Sequence, residues 1–170
     1  MSNQPLPQSE IVFYQTEDGR TRIQCRLENE TIWLSQALIA DLFQVTVPTV
    51  NEHLKGIYAD GELQAGATIR KFRIVRPEGN REVTREIEHY NLDAILAVGF
   101  RVRSQRGTQF RQWATARLSE YLAKGFTMDD KRLKNPPRKG QTDYFDELLE
   151  RIRDIRSSER RFYQKVSYRC

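Results

Sequence analysis

A break of three residues between two helix-forming runs restricts this chain more than any other feature. Ser35 can cap a helix carrying Ala37, Leu38, Ala40, Leu42 and Phe43; Gln44 and Val45 interrupt the pattern, and Thr46 offers a second cap. Pro48 follows at once. A proline lacks the amide hydrogen and is tolerated only in the first helical turn, where that donor has no intrahelical acceptor. The second helix is therefore predicted to begin near Val47, with Val50, Leu54 and Tyr58 on one face and Asp60 and Gly61 closing it. Helices joined this tightly must cross at a steep angle, and Ile39, Ala40, Phe43, Val45 and Val50 supply apolar or small residues for the crossing. The spacing suits a helix-turn-helix, and it also suits an ordinary helical hairpin in a core. Gln44 stands where glycine is common, so its side chain must tolerate a left-handed backbone. His53 replaces a usual hydrophobe, for which Leu54 can compensate.

Before this unit, residues 11–15 and 21–27 are rich in β-branched and aromatic residues around the turn formers Glu17, Asp18 and Gly19, which predicts a hairpin; Thr31, Ile32 and Trp33 offer a third strand. After it, residues 68–75 and 82–90 read as two strands around a turn at 76–80. There Ile69, Phe72, Ile74 and Val83 alternate with Arg70, Lys71, Arg73, Arg81 and Arg85, suggesting one wet, basic face. Asn91 can cap a short helix over 92–98 that ends at Gly99. A polar, Arg-rich connector spans 100–107. A helix over 108–124 then places Phe110, Trp113, Ala114, Leu118, Tyr121 and Leu122 on one side, assigned to the core, and Gly125 ends it.

Residues 131–142 form a basic, proline-containing linker, so the expected domains are 1–130 and 143–170. In the second, Phe145, Leu148, Ile152, Ile155, Phe162 and Val166 fit an a/d spacing interrupted by Glu159. This resembles one seam of a coiled coil, still running where the chain stops, which suggests self-association or a fragment of a longer protein. The fold class is α+β: a small N-terminal antiparallel sheet, a winged helix-turn-helix-like unit, amphipathic helices and a C-terminal coiled-coil-like helix.

Of 170 residues, 38% are hydrophobic and 30% charged, and no apolar run approaches the roughly 20 residues a membrane span needs. The polar start, with two prolines, lacks the apolar stretch of a secretory signal, so a cytoplasmic location is expected. Cys25 and Cys170 offer no disulfide framework or metal-ligand spacing, and no cofactor is implied. Charge is unevenly placed. Up to Asp60 there are four bases against eight acids; of the 28 bases and 23 acids in the whole chain, 24 and 15 lie beyond it. A basic later part favours an anionic partner, nucleic acid being the commonest, although solubility alone also explains a basic surface.

As a DNA reader, the second helix would turn Thr46, Pro48, Thr49, Asn51, Glu52 and Lys55 toward base edges. Asn51 can pair with adenine, Glu52 can accept from the cytosine amino group, and Thr49 can touch a thymine methyl. The helix is short of cations, so phosphate contacts must come from elsewhere. Arg70, Lys71, Arg73 and Arg81 on the hairpin are candidates, as in a winged helix; with Glu78 and Glu82 they also read as a solvated sheet face. Arg101, Arg103, Arg106 and Arg111 at a helix entrance are the better candidates, against the reading of an ordinary exposed loop. Enzymatic signals are thin. His53 and His89 stand apart with no nucleophile elbow or Gly-rich phosphate loop, and Asp129 and Asp130 read more naturally as capping groups than as a nuclease site. The expectation is a protein that is not an enzyme.

Several phrases resemble the N-terminal half of the virulence-associated RhuM family: Trp33-Leu34-Ser35-Gln36, the stretch 43–54, His89-Tyr90-Asn91-Leu92-Asp93, Val98-Gly99-Phe100-Arg101-Val102-Arg103-Ser104, Phe110-Arg111-Gln112-Trp113-Ala114, and Tyr144-Phe145-Asp146-Glu147-Leu148-Leu149-Glu150-Arg151-Ile152. The resemblance implies a bacterial protein of a pathogenicity or mobile island whose relatives run on beyond this C-terminus. Residues 101–118 are also similar to phage antirepressor and baculovirus-repeat N-terminal domains, which implies a nucleic-acid role for the arginines there. The function expected is DNA-binding regulation of double-stranded DNA by a homodimer paired through Phe145, Leu148, Ile152, Ile155 and Phe162. The rivals are a protein-interaction module, such as an antirepressor or host-directed effector, and an enzyme completed by a further C-terminal domain.

Overall fold

The computed structural model describes residues 9–11, 23–28, 31–137, 143–158 and 163–164. They divide into two compact units, Met1–Thr127 and Met128–Cys170.

The first unit is built on a five-stranded antiparallel sheet of order β1-β2-β3-β5-β4. Strands β1 (Ser9–Ile11), β2 (Ile23–Glu28) and β3 (Thr31–Ser35) pair in sequence. Residues 12–15 and 21–22 of the expected first hairpin lie outside the described residues. Strands β4 (Ile69–Glu78) and β5 (Arg81–Tyr90) form a hairpin of ten residue pairs. The two groups, which the sequence suggests as separate sheets, are joined where Leu34 and Ser35 of β3 face Tyr90 and His89 of β5. Gly79 takes φ +63° at the first central position of the two-residue turn, as a type II′ turn demands. The turn is therefore shorter than expected, and Pro77 lies within β4. That strand is the sheet edge, where a missing ladder donor is tolerated.

Helices α1 (Gln36–Phe43) and α4 (Leu92–Arg101) pack on one face of the sheet, and α2 (Val47–Ala59) and the start of α5 (Gln105–Lys124) pack against those two helices; α3 (Ala65–Thr68) is a single turn leading into β4. Their side chains interlock with Ile32, Leu34, Ile69 and Tyr90 of the sheet. Phe43, Ile39, Leu42, Val50, Leu54, Ile57, Ile95, Val98, Val102 and Phe110 are fully buried there. On the opposite face Phe72 stacks edge-on against Trp33 and His89, at 6.0 and 4.9 Å between ring centres.

Gly99 does not end α4, as expected, but lies inside it. A Cβ there would sit 2.6 Å from Phe110 Cε1 and 2.7 Å from Phe43 Cζ, so the missing side chain lets three helices meet. Gly107, read as part of a connector, lies in the first turns of α5, where a Cβ would come within 2.7 Å of Val102 Cγ2. The connector shrinks to Val102, Arg103 and Ser104. Ser104 caps α5 by accepting from Gly107 N at 2.9 Å and donates to Phe43 O at 2.6 Å, tying this corner to the end of α1.

The core assignment for α5 fails beyond its second turn. Only Gly107 and Phe110 are buried, while Trp113, Leu118, Tyr121 and Leu122 remain 38, 58, 52 and 74% exposed and Ala114 half-buried. A helix of 20 residues is about 30 Å long, and its buried residues, Gly107 and Phe110, both lie in its first two turns.

The second unit contains α6 (Asp130–Lys134), capped by Asp129 Oδ1 on Arg132 N at 3.0 Å, so the expected linker begins with helix. It also contains α7 (Phe145–Ser157), where no residue is buried. Phe145, Ile152 and Ile155 are exposed and Leu148 is half-buried. Glu159, Phe162 and Val166 lie outside the described residues.

Candidate nucleic-acid interface

The turn between α1 and α2 has the conformation its sequence demands. Gln44 adopts φ 52°, ψ 52°, a left-handed geometry that costs most residues about 1–2 kcal/mol. Its side chain offsets part of that cost, with Nε2 donating to Asp41 O at 2.8 Å and to Asp41 Oδ1 at 3.3 Å. Val45 N reaches back to Ala40 O at 3.0 Å, closing the end of α1. Thr46 then caps α2, its Oγ1 accepting from Thr49 N at 3.3 Å and lying 2.9 Å from the Thr49 hydroxyl.

Val50, Leu54 and Ile57 bury one face of α2, and Leu54 supplies the apolar contact that half-buried His53 does not. At 100° per residue, Pro48, Glu52 and Lys55 form an exposed pole opposite that face. Thr46 is exposed just before it. Thr49 and Asn51 are half-buried and flank the pole on opposite sides, so the six residues proposed to read bases occupy a broad ridge rather than a single line.

The Asn51 flank is tied to the sheet through a polar relay that no local sequence signal announces. Gln36 Nε2, at the start of α1, donates to Tyr90 OH at 2.9 Å and to Asn51 Oδ1 at 3.4 Å. Tyr90 OH donates in turn to Glu88 Oε2 at 3.3 Å. Burial pushes the Tyr90 hydroxyl above its ordinary pKa, and the Glu88 charge adds to this against the Gln36 hydrogen bond, so the phenol stays protonated. Close by, Tyr58 OH lies 2.9 Å from Thr68 Oγ1 and is likewise raised, chiefly by burial.

The candidate phosphate ligands do not share one surface. Strand alternation places Arg70, Phe72, Ile74 and Arg76 on one face of the hairpin with Arg81, Val83, Arg85, Ile87 and His89. Lys71 and Arg73 lie on the other, opposite Glu88 and Glu86, with Arg73 Nε 3.5 Å from Glu86 Oε1. The single basic face read from the sequence is therefore corrected: one face carries four guanidiniums and one carboxylate, Glu78, while the other is mixed. Arg85 pairs with Glu78 at 2.7 Å, and Arg70 lies over the Trp33 ring at 5.0 Å. Among the described residues Arg76 and Arg81 have no ion-pair partner.

The arginines at the α4–α5 corner also divide. Arg101 is paired with Glu62, whose carboxyl is held below its ordinary pKa by that hydrogen bond, while Arg101 is raised by the same bond. Arg111 turns back on the end of α4, Nη1 donating to Gly99 O at 3.2 Å and Val102 O at 2.8 Å and Nη2 to Thr108 Oγ1 at 3.2 Å. It satisfies carbonyls that a helix C-terminus leaves open. Arg103 is exposed and Arg106 half-buried, and among the described residues neither has an ion-pair partner. Of the four, these two retain guanidiniums for an incoming anion.

His89 is buried against Phe72, with Nδ1 2.9 Å from Ile87 O, which gives it a packing role. Among the described residues, no group of three or more His, Cys, Asp or Glu side chains is arranged to hold a metal ion, and no helix is long and apolar enough to cross a membrane.

Fold and site together define an α+β protein in which two helices joined by a three-residue turn pack beside an antiparallel sheet that ends in a charged hairpin. The chain belongs to the virulence protein RhuM family, whose family model matches residues 67–168. The match begins after α2 and takes in the hairpin, α4 and α5. No curated protein and no solved structure matches the chain.

Proposed function

We propose that this chain is a DNA-binding regulatory protein, not an enzyme, acting on double-stranded DNA in the bacterial cytoplasm as part of a mobile or pathogenicity island. The observation that carries the reading is the α1–α2 unit: a three-residue turn, left-handed at Gln44, presents Pro48, Glu52 and Lys55 to solvent over a fully buried Val50 and Ile57. An exposed helical ridge on a rigid, packed base is what entry into a major groove requires. Pro48, Asn51, Glu52 and Lys55 meet the bases, with Thr46 and Thr49 at the helix start. Arg103 and Arg106 hold phosphate. Self-association through α7 pairs two such units.

The test is a salt titration of fluorescence anisotropy on a random-sequence duplex. Each phosphate neutralised contributes about −0.9 to the slope of log K against log salt. Arg103 and Arg106 together give a slope near −2, and Arg103→Ala with Arg106→Ala brings it close to zero. A native slope near zero, or an unchanged slope in the double variant, refutes the assignment.

A second reading draws on the exposed Trp113, Leu118, Tyr121 and Leu122 of α5. Apolar side chains left this open along one helix suit a protein partner, as in an antirepressor. Under that reading the chain captures a protein while showing no duplex affinity at low salt.

A further inference from the structure

Four side chains from three elements form a hydrogen-bonded chain whose direction is fixed at one end. An ionised carboxylate only accepts, so the Tyr90 hydroxyl must give its proton to Glu88 Oε2, 3.3 Å away. With that proton committed, the Tyr90 oxygen accepts at its other side. The Gln36 atom facing it at 2.9 Å is therefore the amide nitrogen. The second hydrogen of the same nitrogen reaches Asn51 Oδ1 at 3.4 Å. A charge on β5 thus decides, through a phenol on β5 and an amide on α1, which way round the Asn51 amide on α2 stands. Asn51 Oδ1 is held by Gln36, and among the described residues Nδ2 has no acceptor.

We propose that Gln36 is a specificity-determining positioning residue and that Tyr90 and Glu88 set its orientation, so that Asn51 offers a fixed Nδ2 donor to the N7 acceptor of a purine. The inference rests on the DNA-binding reading of α2. The remaining lone pair of Oδ1 accepts from the adenine amino group, so adenine is preferred over guanine, whose O6 there is an acceptor. An asparagine free to rotate its amide would meet donor or acceptor base edges alike, and discrimination at its position would fall. The relay thus acts by removing an alternative state of Asn51, while no member other than Asn51 touches the base.

The experiment is selection of bound duplexes from a randomised pool by the full chain, followed by measurement of base preference at each position of the recovered site. Substitution of Asn51→Ala marks the position that Asn51 reads. Gln36→Ala and Tyr90→Phe are expected to lower the adenine preference at that position by about an order of magnitude, while the preference facing Glu52 is kept. Loss at a single position separates orientation of Asn51 from general loosening of the fold, which would erode all positions together. Gln36→Glu supplies a second check: its carboxylate accepts from Asn51 Nδ2, turns Oδ1 outward and moves the preference toward bases that offer an amino group, cytosine included. If the native chain selects a site and all three variants keep its adenine, the relay inference is overturned and the DNA-binding reading stands. If the native chain recovers no duplex at low salt, both fall.

Discussion

Replacing Gly99 by alanine tests the packing at the centre of the first unit. The added methyl carbon would lie 2.6 Å from Phe110 Cε1 and 2.7 Å from Phe43 Cζ, whereas carbon atoms rest at about 3.5–4.0 Å. Each ring would have to withdraw by roughly 1 Å. Neither has room, because both are fully buried and packed edge to face with ring centres 5.3 Å apart. Forced overpacking of this kind costs about 3 kcal/mol at the upper end of its usual range. Alanine returns about 1 kcal/mol through helix propensity and a less flexible unfolded chain. The balance is a loss of about 2 kcal/mol, or roughly 6–12 °C in Tm for a unit of this size. Gly56 in α2 is the control, since a Cβ there meets nothing within 4 Å; Gly56→Ala is expected to stabilise by about 0.5–1 kcal/mol. Urea denaturation of the two variants decides the matter. Equal or greater stability of Gly99→Ala would refute the claim that this glycine exists for close approach.

At the turn, Gln44→Gly relieves the left-handed strain but loses the bonds to Asp41, for a net gain of up to about 1 kcal/mol, whereas Gln44→Val loses at least 1 kcal/mol in the same melt. Arg111→Ala uncovers the carbonyls of Gly99 and Val102 and is expected to cost about 1–2 kcal/mol; Arg111→Lys recovers less than half, since a single ammonium cannot reproduce the fork. The Glu62–Arg101 pair makes a pH statement. The Glu62 pKa is lowered on folding, so its contribution is present above the unfolded value of about 4.3 and is lost as pH falls through the folded value. Glu62→Gln should therefore shrink the stability difference between pH 6 and pH 3 in denaturation curves, and an unchanged difference contradicts the pairing.

What the sequence made legible is what rests on neighbours in the chain. Ser35, Thr46 and Asn91 each cap the helix they precede, Gly125 takes the left-handed position after α5, and Gln44 adopts the left-handed backbone its place required. Each of these depends on a turn of backbone and one side chain. The errors depend on residues far apart. Gly99 and Gly107 read as breakers because glycine punctuates isolated helices, yet here close contact with Phe43, Phe110 and Val102 decides their use. The α5 stripe has helical periodicity, and periodicity does not say where the rest of the core ends. At the candidate interface the exposed pole of α2 followed from spacing, but the division of the hairpin cations between two faces depended on a register that residues 76–80 left open. The Gln36–Asn51–Tyr90 relay joins residues up to 54 positions apart and had no signal in the sequence at all.

Under the function proposed above, the outer side of α2, supported by the arginines at the α4–α5 corner, is the surface that meets DNA. Backbone amide chemical shifts of the labelled chain, followed at low salt as a short duplex is added, test it most directly. The largest changes are expected at Thr46, Asn51, Glu52 and Lys55, with Arg103 and Arg106 moving alongside. Changes confined to Trp113, Leu118, Tyr121 and Leu122, or none at any residue, would contradict it.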